Sequence, residues 1–278
     1  MLLRRLYYLL SPRLRRTVRR IVFFPVDILD KVLGRRPPLV PPKGKIFTGQ
    51  GDFMGIGDKF LDDFINTCHL KPDQHVLDVG CGIGRMARPL AFYLNTNGKY
   101  EGFDIVPEGV QWCKKHYASH HHFSFTHVQL DNDLYNLGSG LQANAFTFPY
   151  KDSSFDLVLL ISVFTHMQAD EVQQYLHEIS RVMKPGGRCF ATFFLMTRDA
   201  EERQHQLTKP FFPHGQGDVF LHDKRVKNAN VAYSLTGVER MANEASLTIE
   251  QHHQGWWSGL PASSCKDFQD ILVFSPFI

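Results

Sequence analysis

The sequence lacks an apolar run long enough to cross a membrane. Arginines interrupt every apolar stretch of the N-terminal region, whereas a membrane-spanning helix needs about 20 consecutive apolar residues. Leu6 to Leu10 is too short for the apolar core of a secretory signal, and no small-residue cleavage site follows it. These absences predict a chain that neither spans a bilayer nor is secreted.

Paired cysteines and metal-binding patterns are also missing. The five cysteines, Cys68, Cys81, Cys113, Cys189 and Cys265, are odd in number and widely spaced, with no C-x-x-C pair. This usage indicates reduced thiols in a reducing compartment. The fourteen histidines include the run at 120–122, yet no zinc-type spacing of His, Cys or carboxylate accompanies it. We therefore predict a cytoplasmic protein with no metal site.

Charge is unevenly distributed along the chain. Residues 1–45 hold twelve Lys and Arg against Asp27 and Asp30, a net charge of +10, whereas the remainder carries −7. An acidic body is a poor non-specific binder of phosphate backbones. We therefore expect no nucleic-acid partner.

The basic N-terminal region has its own pattern. Arginine clusters alternate with apolar clusters over residues 1–36, and Pro12 and Pro25 are predicted to divide them into short helical pieces. Residues 35–45, RRPPLVPPKGK, read as an extended proline-rich linker. We predict a basic amphipathic tail and linker over 1–45, of which residues 1–36 lie on an anionic membrane surface and would place the protein peripherally on the inner face of the membrane. A disordered tail and a docking arm for another protein are the alternatives.

Beyond residue 46, helical and strand patterns alternate. The patterns predict strands at 74–79, 99–103, 123–130, 155–161, 187–195, 248–254 and 268–274, and helices at 58–69, 85–94, 108–117, 170–183 and 235–246. This order is typical of an α/β fold: a single Rossmann-like domain over 46–278 with a doubly wound, mostly parallel sheet and helices on both faces. Residues 196–234 are polar and too long for a plain connection, which indicates a lid over a site or a disordered insertion.

One motif carries chemical information. In the run from Val76 to Arg85, VLDVGCGIGR, an apolar strand enters a glycine turn that opens a helix. The backbone of such a turn can approach a ligand closely at the helix N-terminus. In a dinucleotide fold the third glycine would fall at Arg85, whereas here it is Gly84, and the acid Asp78 precedes the turn. The pattern therefore predicts a cofactor site that differs from an NAD site.

This motif resembles that of the class I S-adenosylmethionine-dependent methyltransferases, and the resemblance covers most of residues 54–278. It implies that Asp78 and Gly80 face the amino group of S-adenosylmethionine and that Gly82 permits close approach, with Cys81 and Gly84 completing the turn. A cofactor with an ammonium and a sulfonium group favours a nearby carboxylate. An NAD-dependent oxidoreductase and a cofactor-binding relative without turnover remain alternatives.

Two further cofactor contacts follow from the resemblance. Asp104 ends the second strand, where an acid can accept both ribose hydroxyls, although an acid there can equally cap a helix. Ile105 would lie against the adenine. The family places an acid after the third strand to hold the adenine amino group; Asp131 is our choice and Asn144 the alternative, because an extra segment follows this strand.

Methyl transfer to a hydroxyl needs alignment of the reacting atoms and a general base. Ser162 and His166 follow the fourth strand, at the edge where ligands of open α/β sheets bind. We predict a cofactor contact for Ser162 and the general base at His166, which could otherwise cap the helix near Asp170. The stretch 255–259, GWWSG, resembles a bacterial subgroup that acts on glycans and other small molecules, although such tryptophans also suit core packing. The predicted acceptor is a small molecule, glycan or lipid headgroup, methylated at oxygen.

Overall fold

A computed structural model describes residues 11–49, 51–132, 141–224 and 226–277. Within these ranges the helices are α1 (Pro12–Val32), α2 (Phe53–Cys68), α3 (Ala87–Tyr93), α4 (Pro107–His116), α5 (Ala169–Val182), α6 (Arg198–Gln206) and α7 (Leu235–Glu244). The strands are β1 (His75–Val79), β2 (Lys99–Asp104), β3 (Phe123–His127), β4 (Phe155–Leu160), β5 (Met183–Phe193), β6 (Leu195–Met196), β7 (His214–Gln216), β8 (Val219–Leu221), β9 (Val231–Ser234), β10 (Leu247–His253) and β11 (Asp270–Pro276). The first ten residues of the predicted tail lie outside the described residues.

Seven strands form the main sheet in the order β10-β11-β5-β4-β1-β2-β3. Strands β1 to β5 pair in parallel, and β11 runs antiparallel to both β5 and β10. The prediction of a mostly parallel, Rossmann-like sheet is confirmed. Because the strands are parallel, the carboxyl ends of β1 to β4 meet at one edge of the sheet.

Helices cover both faces of this sheet. Val76 and Leu157 pack in a core with α2, α3 and α4, whereas their neighbours Leu77 and Val158 pack on the other face with α5 and α7. Successive side chains of a strand point to opposite faces. Both faces are therefore apolar, which explains why β1 and β4 read as nearly continuous apolar runs.

Helix α2 begins earlier than predicted, at Phe53 instead of residue 58. The Asp52 carboxylate caps it by accepting the N–H of Met54 at 3.1 Å. Gly55 and Gly57 fall in its first turns, and glycine disfavours helix by about 1 kcal/mol relative to alanine. The capping bond and the tertiary packing therefore outweigh the local preference.

Strand β5 also begins earlier than predicted, at Met183 instead of residue 187. Its pairing with β4 jumps from Phe155 opposite Met183 to Leu157 opposite Arg188. Residues 184–187 therefore form a bulge, and Gly186 accommodates it with a φ of +77°.

The prediction that Pro25 ends a helical piece is wrong, because α1 is continuous from Pro12 to Val32. Pro12 stands in the first turn, where its missing N–H is not needed. Pro25 is exposed, as is Ile21 one turn earlier, so water can satisfy the carbonyl that Pro25 leaves unpaired. No described helix, α1 included, is long and apolar enough to cross a membrane.

Helix α1 is docked on the rest of the protein. The Asp27 carboxylate accepts the N–H groups of Lys43 and Gly44 at 2.7 and 2.9 Å. Arg16 pairs with Glu108 of α4 at 3.3 Å. The described part of the predicted tail and linker thus folds back on itself and contacts the sheet domain.

The region 196–234 contains secondary structure of its own. Strands β6, β9, β8 and β7 form a second sheet in that order, and α6 lies between β6 and β7. Phe211 and Phe212 pack with Phe194 and Trp257 in a separate apolar cluster, whereas Tyr233 joins the main core. The aromatic residues of this region therefore pack against the rest of the protein.

Candidate functional site

A cavity of about 350 Å³ lies at the carboxyl edge of β1 to β4. Its lining includes most of the predicted site residues: Asp78, Gly80, Cys81, Asp104, Ile105, Asp131, Ser162 and His166. Gly82, Gly84 and Asn144 are not part of the lining. One cavity thus brings together residues from four strand ends.

Glycine is required at the three positions of the turn for different structural reasons. Gly80, Gly82 and Gly84 have φ values of +75°, +58° and +82°, a region that favours glycine. A Cβ on Gly82 would lie 2.5 Å from Cγ2 of Thr48, and one on Gly84 would lie 3.0 Å from Sγ of Cys113. Only Gly80 borders the cavity, whereas the other two let the 46–49 segment and α4 pack against the turn.

Asp78 is buried at the end of β1, with 2% of its surface exposed. Its Oδ2 accepts the hydroxyl of Tyr100 at 2.6 Å. Burial raises the pKa of Asp78 to about 7, assisted by the charge of Asp104 and opposed by the Tyr100 hydrogen bond. A cationic group in the cavity would favour the ionised form.

Asp104 joins the glycine turn to the start of α4. Its Oδ2 accepts the N–H of Gly82 at 2.8 Å, and its Oδ1 accepts the N–H of Val106, the N-cap residue of α4, at 2.7 Å. Burial raises the pKa of Asp104 to about 6, against these backbone hydrogen bonds. A carboxylate oxygen has two acceptor positions. Asp104 can therefore hold the turn and still accept hydrogen bonds from a ligand.

The structure separates the two candidates for the adenine contact. Asp131 lines the cavity, and its Oδ2 accepts the side-chain amide of Gln142 at 3.3 Å. The exposed Asn144 instead donates to Asp170 at 2.7 Å, away from the lining. Asp131 is therefore the one of the two that reaches the cavity.

His166 is oriented by the region 196–234. Its Nδ1 lies 2.8 Å from the carbonyl oxygen of Asn228. A carbonyl only accepts, so Nδ1 carries the proton and Nε2 is the basic nitrogen of this tautomer. Burial lowers the pKa of His166, which keeps the ring neutral at neutral pH. The alternative role as a helix cap is wrong, because Gln168 caps α5 in a capping box with Glu171.

Several cavity residues were not predicted from the sequence. Phe47, Thr48 and Gly49 line the cavity from the segment before α2, and Arg85 donates to the Thr48 carbonyl. A loop without periodicity gives no local signal for such a position. Glu171 also lines the cavity, so that in the described part of the chain four carboxylates share the lining with one guanidinium, that of Arg85. This balance favours a cationic ligand over a pyrophosphate.

Ser162 connects the cavity to the C-terminal strands. Its backbone has a φ of +59°, and its hydroxyl donates to Oε1 of Gln269 at 3.0 Å. The backbone N–H of Ser162 donates to Oγ1 of Thr192 at 2.7 Å. Gln269, another lining residue, precedes β11. The stretch 268–270 thus contributes to the cavity through Gln269.

The two neighbouring tryptophans have different environments. Trp257 is buried, and its indole N–H donates to Oδ2 of Asp270 at 2.6 Å. Trp256 is 41% exposed and packs edge-on against Phe268. Trp257 is therefore a core residue, and only Trp256 presents a ring to solvent for an acceptor.

The described cysteines and acidic side chains form neither a metal site nor a reactive thiol. Within the described ranges, no group of three or more His, Cys, Asp or Glu side chains is placed to hold a metal ion. All five cysteines are free thiols. Burial raises the pKa of Cys81 well above its ordinary value, which keeps it protonated in the cavity wall.

The strand order and the carboxylates at the ends of β1 and β2 define the class I methyltransferase fold. Residues 77–191 match the family model described as a methyltransferase domain. Over this range the chain is similar to the class I S-adenosylmethionine-dependent methyltransferases, whose cofactor is S-adenosylmethionine.

Named relatives agree with this assignment. The chain is 30% identical over 134 residues to a demethylmenaquinone methyltransferase of Symbiobacterium thermophilum, covering 48% of each protein. It is 34% identical over 116 residues to the O-methyltransferase resE of Aspergillus sclerotiorum, covering 41% of this chain and 38% of that protein. A solved S-adenosylmethionine-dependent methyltransferase structure from Methanosarcina mazei shares the fold, with a TM-score of 0.51 at 18% identity over 77% of this chain and 97% of that one. The chain spans about half the length of the curated relatives it matches.

Proposed function

We propose that this protein transfers a methyl group from S-adenosylmethionine to a small-molecule acceptor. The observation that carries the proposal is the pair of buried carboxylates, Asp78 and Asp104, in a cavity with an excess of acidic groups. Asp78 receives the ammonium of the cofactor, and Asp104 receives the ribose hydroxyls. Asp131 and Ile105 face the adenine, and Arg85 is placed for the cofactor carboxylate.

Titration calorimetry tests this cofactor assignment. Asp78→Ala should abolish binding of S-adenosylhomocysteine while unfolding stays cooperative, because the counter-charge for the ammonium is removed. Asp73→Ala, a surface change before β1, is the matched control and should bind as the wild type does. NADH, titrated in parallel, should not bind. Equal affinity of Asp78→Ala and wild type for S-adenosylhomocysteine, or saturable NADH binding, would contradict the proposal.

For transfer to oxygen, we propose His166 as the general base. S-adenosylmethionine held in the cavity would supply an electrophilic methyl group, and Nε2 of His166 would take the proton from the acceptor hydroxyl. His166→Gln should lower kcat by about 10²-fold or more and leave S-adenosylhomocysteine affinity unchanged. The exposed His177→Gln is the control. A methyl-release assay with phenols, demethylmenaquinone, glycans and lipid headgroups measures both, and undiminished turnover of His166→Gln would exclude the base role.

The acceptor class extends the proposal. We propose a saccharide-like or lipid-headgroup acceptor. The support for a saccharide is the exposed ring of Trp256. We also propose that residues 1–36 place the protein peripherally on the cytoplasmic face of a membrane. The described part of this segment supports it, because α1 turns an apolar face to solvent, opposite the face that docks on the protein: Leu14, Val18, Ile21, Val22, Ile28, Leu29 and Val32.

Vesicle flotation tests the membrane contact. Ile21 and Val32 are 68% and 76% exposed. The double change Ile21→Glu and Val32→Glu should abolish flotation with anionic vesicles. Phe92→Glu with Leu141→Glu introduces the same charge at equally exposed apolar sites off α1 and should float as wild type does. Equal flotation of the two double variants would show that α1 does not contact the membrane.

We propose that residues 196–234 form a lid over the acceptor. The support is that Asn228 of this region holds the His166 ring and that the phenylalanines beside the β7–β8 hairpin pack in an apolar cluster separate from the main core. Amide hydrogen exchange in the hairpin should slow when S-adenosylhomocysteine and acceptor are both bound. Unchanged exchange at saturation would identify a passive segment.

A further inference from the structure

A second, larger cavity lies between α1, the proline-rich segment and α4. Its volume is about 860 Å³, and among the described residues seven Lys and Arg side chains line it against two carboxylates, Asp30 and Glu108. We refer to this cavity as the basic chamber. Its excess of positive charge stands in contrast to the acidic cofactor cavity, so the two cavities suit ligands of opposite charge.

Carboxylates of the protein pair with only some of the described cations of the basic chamber. Glu108 already pairs with Arg16 at 3.3 Å, and Asp30 pairs with Lys43 at 3.5 Å. Within the described part of the chain, no carboxylate pairs with the chamber residues Arg20, Lys45 or Lys115. These cations are therefore available to an anionic ligand.

The chamber is also lined by apolar groups, including Leu39, Phe47 and Trp112. An inorganic anion gains nothing from such a wall, whereas a phosphate attached to hydrocarbon gains from both kinds of lining. The apolar outer face of α1 lies on the opposite side of the helix that forms the chamber wall. Because a helix is about 10 Å across, a lipid drawn partly out of a membrane that contacts this outer face would bring its headgroup past α1 to the chamber.

Phe47 lines both the basic chamber and the cofactor cavity. A headgroup in the chamber would therefore lie beside the methyl donor. We propose that the basic chamber binds the phosphate headgroup of an anionic membrane lipid and so brings a lipid-linked acceptor to the cofactor. The acceptor part of this inference rests on the proposed methyltransferase function, whereas headgroup binding does not.

Two matched double variants separate chamber binding from general attraction of a basic surface to a membrane. Arg20→Gln with Lys115→Gln removes two chamber cations, one from α1 and one from α4. Arg13→Gln with Lys114→Gln removes two exposed cations from the same two helices that do not line the chamber. Both doubles have the same net charge, so long-range electrostatics affects them equally.

The full-length protein is titrated with dihexanoyl phosphatidic acid, with inorganic phosphate, and with phosphatidylcholine vesicles with and without phosphatidic acid. The chamber double should bind dihexanoyl phosphatidic acid about thirtyfold more weakly than wild type, and the control double should match wild type. Vesicle binding should follow the same order and require phosphatidic acid.

Three results would overturn the inference. Equal losses in the two doubles would indicate only diffuse surface attraction. Equal affinity for inorganic phosphate and the lipid would indicate a free-phosphate site. No binding of any of the probes to wild type would leave the chamber without a ligand of this class. S-adenosylhomocysteine affinity, measured on each variant, reports correct folding, and its absence in wild type would refute the methyltransferase proposal without affecting the lipid result.

Discussion

The affinity for S-adenosylhomocysteine is expected to depend on pH through Asp78. Burial raises the pKa of this carboxyl from 3.8 to about 7 in the ligand-free protein. Only the ionised form can receive the ligand ammonium, and only about a tenth of it is ionised at pH 6.0. Between pH 6.0 and pH 7.5 the affinity should therefore rise about eightfold, with release of a proton on binding.

The stability of the ligand-free protein depends on pH in the opposite direction. A folded-state pKa raised above its unfolded value contributes stability that is present below pH 3.8 and is lost as the pH rises through about 7. A bound ammonium lowers this pKa and restores the lost stability. The increase in Tm caused by S-adenosylhomocysteine should therefore be larger at pH 7.5 than at pH 6.0.

Tyr100→Phe provides a specific test of this explanation. The change removes the hydroxyl that favours ionised Asp78 while keeping the buried ring, so the midpoint of the affinity profile should move to higher pH. Tyr93→Phe, which removes a hydroxyl bonded to the Leu70 carbonyl, should leave the midpoint unchanged. Calorimetry in buffers of different ionisation enthalpy measures affinity and proton release together. A flat profile, or a Tyr100→Phe midpoint equal to that of wild type, would refute the role of Asp78.

Two further changes have calculable effects. Gly80 and Gly186 both have left-handed φ values, so alanine at either position should lower the unfolding free energy by about 1–2 kcal/mol. Of the two variants, only Gly80→Ala would bring the new Cβ against a neighbour, 2.6 Å from Cγ2 of Val163. Gly80→Ala should therefore also weaken S-adenosylhomocysteine binding, and equal calorimetric affinity of the two variants would contradict this packing. Trp257→Phe removes the indole hydrogen bond to Oδ2 of Asp270, which keeps the N–H of Leu195, and should lower the unfolding free energy by about 1–3 kcal/mol, the contribution of a hydrogen bond to a carboxylate. Trp256→Phe is the exposed control in denaturant unfolding, and a Trp257→Phe loss no greater than the control would show that the bond is dispensable.

The order of strands and helices and the position of the cofactor turn followed from local patterns. Val76 to Gly84 encodes a strand, a turn that needs positive φ and a helix start within one short run, so neighbours along the chain determine the outcome. The same holds for Asp104, since the last residue of a parallel strand must lie at the edge where β1 ends. These local features were sufficient to predict the sheet and the cavity edge, whereas the cofactor class came from the resemblance of the motif to the methyltransferase family.

Only the tertiary structure decided which distant residues meet at that edge. Thr48 covers the glycine turn, and Asn228 fixes the tautomer of His166 across 62 positions; no periodic pattern encodes either pairing. Packing also decided that Asp131 and not Asn144 reaches the cavity. In α1, exposure to solvent let the helix continue through Pro25, and docking through Asp27 turned its apolar face outward. A local sequence pattern specifies a helix or a strand. Which side of that element faces the site or the solvent depends on contacts with residues that are distant in sequence.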